Sequence, residues 1–305
     1  MKTSVVRLLK NLDLRREDVP EALWAEIEAH DWRVYPLRGA AFDRAVIRIV
    51  DRLVNGDLAK TGNLDRWEAG WGEALMDYAG SQDDDDLVPR YIHQGEIMRV
   101  SRELVQTHDP NFEENFCRIL LSAVDEFSFV DLDRVVEFGC GTGWNLLHLA
   151  KRTPGREYEG YDWSRAAADL VKMAAENNGL SIKTGVVDFF NPPHPEIFEG
   201  DTGVLTFGAL EQTGANFEPF IRYLINRRPS VVVHIEPIVE WYAPQTNLLD
   251  YLAVQFLTKR RYWSGFAGYM SKLARKGLVN VEYCHRTGIG SLFMEGYMVF
   301  VWRPT

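Results

Sequence analysis

Cysteine is scarce in this chain. There are three in 305 residues, Cys117, Cys140 and Cys284, far apart and odd in number. That excludes a disulfide framework and a cysteine-based metal cluster, and it fits reduced thiols in a cytoplasmic setting. Histidine is nearly as sparse: seven residues, none in an HxH or HxxxH spacing, so no metal site is expected. No run of about 18 consecutive apolar residues occurs, so no membrane span is expected. The opening residues, MKTSVVRLLKNLDLRRED, are charged too early to hold the apolar centre of a secretion signal. Positive charge is also short, with 34 Lys+Arg against 44 Asp+Glu and a formal charge of −10. Neutralising phosphates takes clustered cations, so a nucleic-acid partner is not expected. The one basic knot, Lys259-Arg260-Arg261, reads as a solvated helix face.

What is present is an ordinary globular composition, 46% hydrophobic and 26% charged, which excludes fibrous and disordered classes. A chain of 305 residues is near the limit of a single core. The pattern divides near residue 128. Residues 1–128 read as a helical extension, serving as a lid or a substrate region: Leu23, Trp24 and Ile27, then Phe42, Val46, Ile47, Ile49 and Val50, recur at helical spacing. From Arg134, short apolar runs alternate with helix-length segments. Strands are expected at 135–138, 157–161, 182–187, 204–207 and 231–235, with helices between them. That alternation implies right-handed crossovers and a parallel sheet covered on both faces. The stretches 279–284 and 297–302 read as two further strands joined without a helix, so the sheet ends in an antiparallel pair. The segment around 238–275 is too long for a simple connection and reads as a helical insertion. The expected architecture is α/β, a Rossmann-like doubly wound, mostly parallel seven-stranded sheet with an antiparallel last strand and a helical N-terminal extension.

The sharpest local signal is Val135-Val136-Glu137-Phe138-Gly139-Cys140-Gly141-Thr142-Gly143. A strand runs into three alternate glycines and then a helix. Such a turn lets a ligand approach backbone N–H groups at a helix N-terminus. The spacing is G-x-G-x-G rather than the dinucleotide G-x-G-x-x-G, and Glu137 lies where a pyrophosphate would be repelled and a cationic group held. The run resembles motif I of the class I S-adenosylmethionine-dependent methyltransferases. The resemblance covers about residues 130–305. It implies that Gly139, Cys140, Gly141 and Gly143 cradle the amino-acid end of S-adenosylmethionine and that Glu137 faces its ammonium. S-adenosylhomocysteine would be the product.

Two further motifs agree. Asp162, in Gly160-Tyr161-Asp162-Trp163-Ser164, ends the second strand, where a carboxylate accepts from both ribose hydroxyls in nucleotide-binding α/β folds. Ser164 doubles as a helix N-cap. By the same resemblance Trp163 packs on adenine, Asp188 accepts from the adenine amino group and Phe189 adds an apolar contact. Asn191-Pro192-Pro193-His194 follows the third strand and reads as a rigid loop. Strand carboxyl ends face the ligand crevice in this fold, so Phe207 and Gly208 are expected near the sulfonium, with Glu211 and Gln212 toward the acceptor. Tyr91 is expected as a lid contact on the cofactor.

A hydroxyl acceptor must lose its proton, and the candidate bases are His234, then Glu211 and Glu236. His234 and Glu236 share one face of the fifth strand. Arg286 is a candidate for an anionic part of the acceptor, and Arg90 for a carboxylate. Trp67, Trp71, Trp241, Tyr242, Tyr262 and Trp263 are candidate stacking walls or core. The expected function is a methyltransferase, with O-methylation of a small polar molecule or a glycan sugar first. N-methylation of an amine or a protein side chain is second. A nucleotide-binding oxidoreductase and a non-catalytic cofactor-binding subunit are the readings from other classes. A homodimer is one allowed assembly.

Overall fold

The computed structural model describes residues 2–56, 58, 64–193, 198 and 200–305. The N-terminal part runs α1 (Thr3–Asn11), α2 (Glu21–Glu28), β1 (Val34–Pro36), α3 (Ala40–Val54), α4 (Leu64–Ser81), β2 (Ile97–Val100), β3 (Glu103–Thr107) and α5 (Phe112–Ser128). The rest runs β4 (Arg134–Phe138), α6 (Trp144–Arg152), β5 (Glu157–Asp162), α7 (Arg165–Asn177), β6 (Ile182–Val186), β7 (Thr202–Phe207), α8 (Glu218–Arg227) and β8 (Val231–Glu236). It closes with α9 (Leu248–Arg260), α10 (Phe266–Arg275), β9 (Val279–Arg286), β10 (Ile289–Gly290) and β11 (Met298–Pro304).

The expected sheet is there. Its seven strands lie in the order β6-β5-β4-β7-β8-β11-β9, parallel from β6 to β8, with β11 antiparallel to both β8 and β9. Helices on both faces explain why every residue of β7 and β8 is buried. After β4 the chain builds outward through β5 and β6. It then returns to the other side of β4 with β7. The crevice at that reversal, between the carboxyl ends of β4 and β7, is where doubly wound sheets bind ligands.

The N-terminal extension is helical, and it also carries strands that sequence pattern did not place. β1, β3, β2 and β10 form a second, four-stranded antiparallel sheet. Its last strand comes from the far end of the chain, where Ile289 pairs with Val100 and Gly290 with Arg99. The helical insertion also reaches back. α9 packs on α3, and Ile49, Leu53, Leu252, Phe256 and Leu292 share one apolar cluster. The buried Arg99 guanidinium fastens this junction by donating to the carbonyls of Leu249 (2.6 Å) and Leu292 (3.1 Å). Elements before residue 129 thereby become a wall above the crevice.

Candidate functional site

The glycine turn is set by close approach. Gly139 has φ +77°, and a Cβ there would fall 2.2 Å from the Ala209 Cβ, so the turns after β4 and β7 meet with no room for a side chain. Gly143 opens α6 in the left-handed region. The outer face of Gly141 is covered by the Trp71 ring, which a Cβ would meet at 3.1 Å.

Glu137, fully buried near the end of β4, is held through one oxygen only. Its Oε1 accepts from Asn145 Nδ2 at 2.6 Å, while Oε2 is buried with no partner. Burial, with the nearby Asp162 charge, pushes its carboxyl up to about 8. Asp162 ends β5 and accepts from the Gly141 N–H (3.1 Å) and the Ser164 N–H (3.0 Å). Burial lifts it to about 6 against those stabilising N–H groups. Ser164 caps α7 through the Ala167 N–H. Trp163 stacks on Phe189 with centroids 6.2 Å apart, and Phe189 also lies against the Gly139 turn. Asp188 is exposed and accepts from the Phe190 N–H at 2.8 Å. Asn191 to Pro193 are irregular backbone, and His194 lies outside the described residues.

Helix α4 closes this side. The Glu68 carboxylate accepts from the Arg165 and Ala166 N–H groups at the start of α7, a favourable place for an anion. Trp67 and Trp71 stack on each other at 5.7 Å along the same helix.

A cavity of about 450 Å³ opens beyond the turn, lined by Gly139, Cys140, Gly141, Phe207, Gly208, Tyr91, Glu211 and Gln212 among others. The structure thus gathers Gly139, Cys140, Gly141, the β7 end and Tyr91 around one space, while Gly143 and Glu137 do not line it. Asp162 meets the glycine turn at Gly141 and Phe189 meets it at Gly139, with Trp163 stacked on Phe189. Tyr91 lines the cavity, and desolvation pushes its phenol well above its ordinary value. In the cavity wall, Glu211 Oε1 accepts from Gln212 Nε2 at 2.7 Å, and its Oε2 is buried without a partner.

Two expected bases are corrected. His234 is fully buried and does not line the cavity. Trp302 Nε1 donates to its Nε2 at 3.0 Å, which leaves Nδ1–H to donate to Thr206 Oγ1 at 2.9 Å. Both ring nitrogens are spent, and burial lowers the imidazole to about 3. It is a core histidine. Glu236 is also buried, and it accepts from the N–H groups of Ala209, Leu210 and Glu211. It fixes the turn after β7 rather than facing a reactant. Burial and the adjacent Glu211 carboxylate hold its carboxyl well above the usual range.

Other expectations are relocated. Arg286 is not available to a ligand: it pairs with Asp250 (2.5 Å) and Glu295 (2.5 Å). Arg90 pairs with Glu73 and Asp77 on the surface. Of the aromatic candidates, Trp67, Trp71 and Tyr262 line the cavity. Trp263 and Tyr242 are buried, and Trp241 stacks on Phe300. The knot expected as a solvated face also changes, because Arg260 lines the cavity.

Glu113 was not singled out in the sequence. It lies in the first turn of α5, buried, and it lines the cavity. Its carboxylate accepts from the Tyr297 hydroxyl (2.8 Å) and the His93 N–H (3.2 Å), and burial pushes it up to about 7. No local spacing connects it to the strand ends it faces. Asn145 had a weak signal, a polar residue in the first helical turn after the glycines. Among the described residues no cluster of metal-ligating side chains occurs, and no helix is long and apolar enough to cross a membrane.

Residues 135–215 match the family model described as a methyltransferase domain. No curated protein matches the chain at a significant level. Among solved structures, the [4+2]-cyclase SpnF is similar at 16% identity, with 81% of this chain and 97% of that chain covered and a TM-score of 0.50. A SAM-dependent methyltransferase from Aquifex aeolicus is similar at 13% identity, with 60% and 88% covered and a TM-score of 0.43. The Pyrococcus abyssi tRNA (uracil-54, C5)-methyltransferase in complex with S-adenosyl-L-homocysteine is similar at 14% identity, with 62% and 38% covered and a TM-score of 0.38. At such identities a likeness concerns the fold.

Proposed function

We propose that this chain, whose residues 135–215 match a methyltransferase-domain model, is a class I S-adenosylmethionine-dependent methyltransferase that methylates an oxygen of a small polar acceptor, a free molecule or a glycan sugar. The observation that carries the reading is Glu211. It is a carboxylate in the cavity wall, beside the β7 turn and in contact with the Glu236 carboxyl, with one buried oxygen that no N–H group meets.

The residues present suit the cofactor. Glu137 Oε2 is an orphaned buried acceptor, which is costly unless a donor or cation meets it. The turn at Gly139–Gly143 offers backbone N–H groups at the start of α6. The Asp162 carboxylate, held by the Gly141, Ser164 and Trp163 N–H groups, has further lone pairs to offer a ribose hydroxyl. Trp163, Phe189 and Asp188 supply an aromatic face and an exposed acceptor for adenine. Tyr91 and Phe207 flank the sulfonium end.

When bound, S-adenosylmethionine supplies an electrophilic methyl group on a sulfonium sulfur. The chain's own contribution is to hold the acceptor oxygen in line, exclude water and take its proton. In this reading Glu211 Oε2 accepts that proton, and Glu236 is a positioning residue that keeps the Glu211 backbone in place. Glu113 is a second titrating group in the same wall. The division at residues 128 and 129 acquires a functional sense. Trp67, Trp71, Tyr91 and Glu113 come from residues 1–128 as lid and acceptor wall, and the cofactor floor comes from residues 129–305, with the insertion around 238–275 adding Phe256 and Tyr262. The free thiols Cys117, Cys140 and Cys284 support a cytoplasmic setting.

The test is transfer from S-adenosylmethionine carrying a carbon-13 methyl group into a dialysable metabolite extract, read by the product's methyl carbon resonance. An O-methyl product lost by about a hundredfold or more in Glu211→Gln, with cofactor affinity kept, supports the reading. An N-methyl product moves the function to amine methylation. No labelled product overturns methyl transfer, and would favour another reaction on this fold, as the solved [4+2]-cyclase illustrates.

A further inference from the structure

The chain carries a net charge of −10, yet three arginines line the cavity beside the carboxylates Glu96, Glu113 and Glu211. Arg48 and Arg52 from α3 and Arg260 from the end of α9 all line it. Glu96 neutralises one of them, pairing with Arg48 at 3.1 Å. Arg52 has no ion pair among the described residues, and Arg260 Nε is buried with no hydrogen-bond partner. A cation at a helix C-terminus is favoured by the helix dipole. That account does not require burying an unsatisfied guanidinium N–H, which costs free energy until an acceptor arrives.

The surroundings fix what the arginine is aimed for. The Arg260 guanidinium lies 4.8 Å from the Tyr262 ring centroid and 5.8 Å from that of Phe256. The Tyr262 hydroxyl lies against both Arg260 and Gln212, and Gln212 donates to Glu211 at 2.7 Å. A continuous polar wall therefore runs from Arg260 through Tyr262 and Gln212 to the carboxylate assigned above as base. Next to Arg260 the lining turns apolar, with Phe256 and Phe293 stacked at 5.0 Å and 16°. Guanidinium groups select carboxylates and phosphates by matching their oxygen geometry.

We infer that the acceptor is an amphipathic organic anion: a carboxylate or phosphate monoester on an apolar, ring-bearing body. Its anionic group sits on Arg260, with Arg52 in support, and its nucleophile reaches toward Glu211. This rests on the methyl-transfer reading of the same site. It also relocates the anion-binding role from Arg286, whose charge is spent on Asp250 and Glu295.

The experiment is a charge ladder on one skeleton, measured by titration calorimetry with the protein saturated in S-adenosylhomocysteine. The probes are 3-(4-hydroxyphenyl)propanoate, its primary amide, tyramine and 2-(4-hydroxyphenyl)ethyl phosphate. At least one anion is expected to bind about tenfold more tightly than the amide, and tyramine least of all. Whichever anion is tighter identifies the group. Arg260→Gln should abolish the preference. Arg222→Gln, on the distant exposed face of α8, should keep it. Arg52→Gln, on an exposed helix face, should reduce it, and stands as the test if Arg260→Gln does not fold. The inference is overturned if the amide or tyramine binds as well as the anions, if no probe binds, or if the preference survives Arg260→Gln. S-adenosylhomocysteine affinity is measured first. Its absence overturns the cofactor reading alone, and the ladder run on the bare protein still decides the charge preference.

Discussion

The Asp162 carboxylate and the Gly141 N–H are joined at 3.1 Å, so the end of the second parallel strand is tied to the glycine turn of the first. One side chain thus shapes the loop and presents acceptors beside it.

Removing that group has two consequences. Asp162→Ala should weaken S-adenosylmethionine binding by about tenfold or more, because ribose hydrogen bonds are lost together with the loop contact. It should also lower the melting temperature, since the Gly141 and Ser164 N–H groups lose their buried acceptor. Calorimetry and thermal unfolding read the two effects separately. Unchanged affinity would sink the ribose assignment.

Glu137 predicts proton release. With its carboxyl pushed to about 8 by burial, it holds a proton near neutral pH in the free protein. A cationic ammonium brought against Oε2 favours the ionised form and expels that proton. Cofactor affinity should therefore rise with pH from near neutral toward 8. The binding heat at neutral pH should vary with the ionisation enthalpy of the buffer. Glu137→Gln should remove the buffer dependence. A buffer-independent heat in the unsubstituted protein would show that Glu137 is already ionised.

His234 should behave as structure rather than chemistry. Its folded value of about 3 lies below the ordinary 6.5, so between those limits the unfolded chain binds more protons than the folded one. Stability then rises with pH through that window and is lost on acidification from about 6.5 toward 3. His148, lowered to about 4 by burial, acts in the same direction. His234→Gln should lower the melting temperature and flatten the acid limb of a denaturation series. Cofactor affinity of the folded fraction should be retained. Lost turnover with unchanged stability would restore His234 as a base.

The glycine turn and the acid tied to it were legible in the sequence because their signals are local. Three alternate glycines after a buried strand, an acid at the end of the next strand and a serine cap each occupy a few consecutive residues. Their backbone conformations follow from steric limits and hydrogen-bonding needs that neighbours along the chain already set. The opposite wall of the cavity depended on residues with no such context. Glu113 sits in an ordinary amphipathic helix, and Arg260 in what read as a solvated basic knot. His234 and Glu236 stand out as a polar pair on a buried strand. Only the packing of Trp302 and the β7 turn against them shows that one is core and the other a brace.

Local pattern along the chain sets the order of strands and helices in the seven-stranded sheet, its antiparallel close and the turn of glycines with its acid, but not the four-stranded sheet. These follow from hydrophobic period, turn chemistry and the handedness of crossovers, which act over short distances. Tertiary structure alone decided what faces the cradle. The two residues of β10 are too short to show any period, yet they pair with β2 and carry Leu292 and Phe293 into the wall. The α3–α9 contact brings Arg52 and Arg260 to one cavity. Which charge is spent on a partner depends on burial and on groups tens of residues away, as Arg286 with Asp250 and Arg48 with Glu96 show, and no local pattern encodes that.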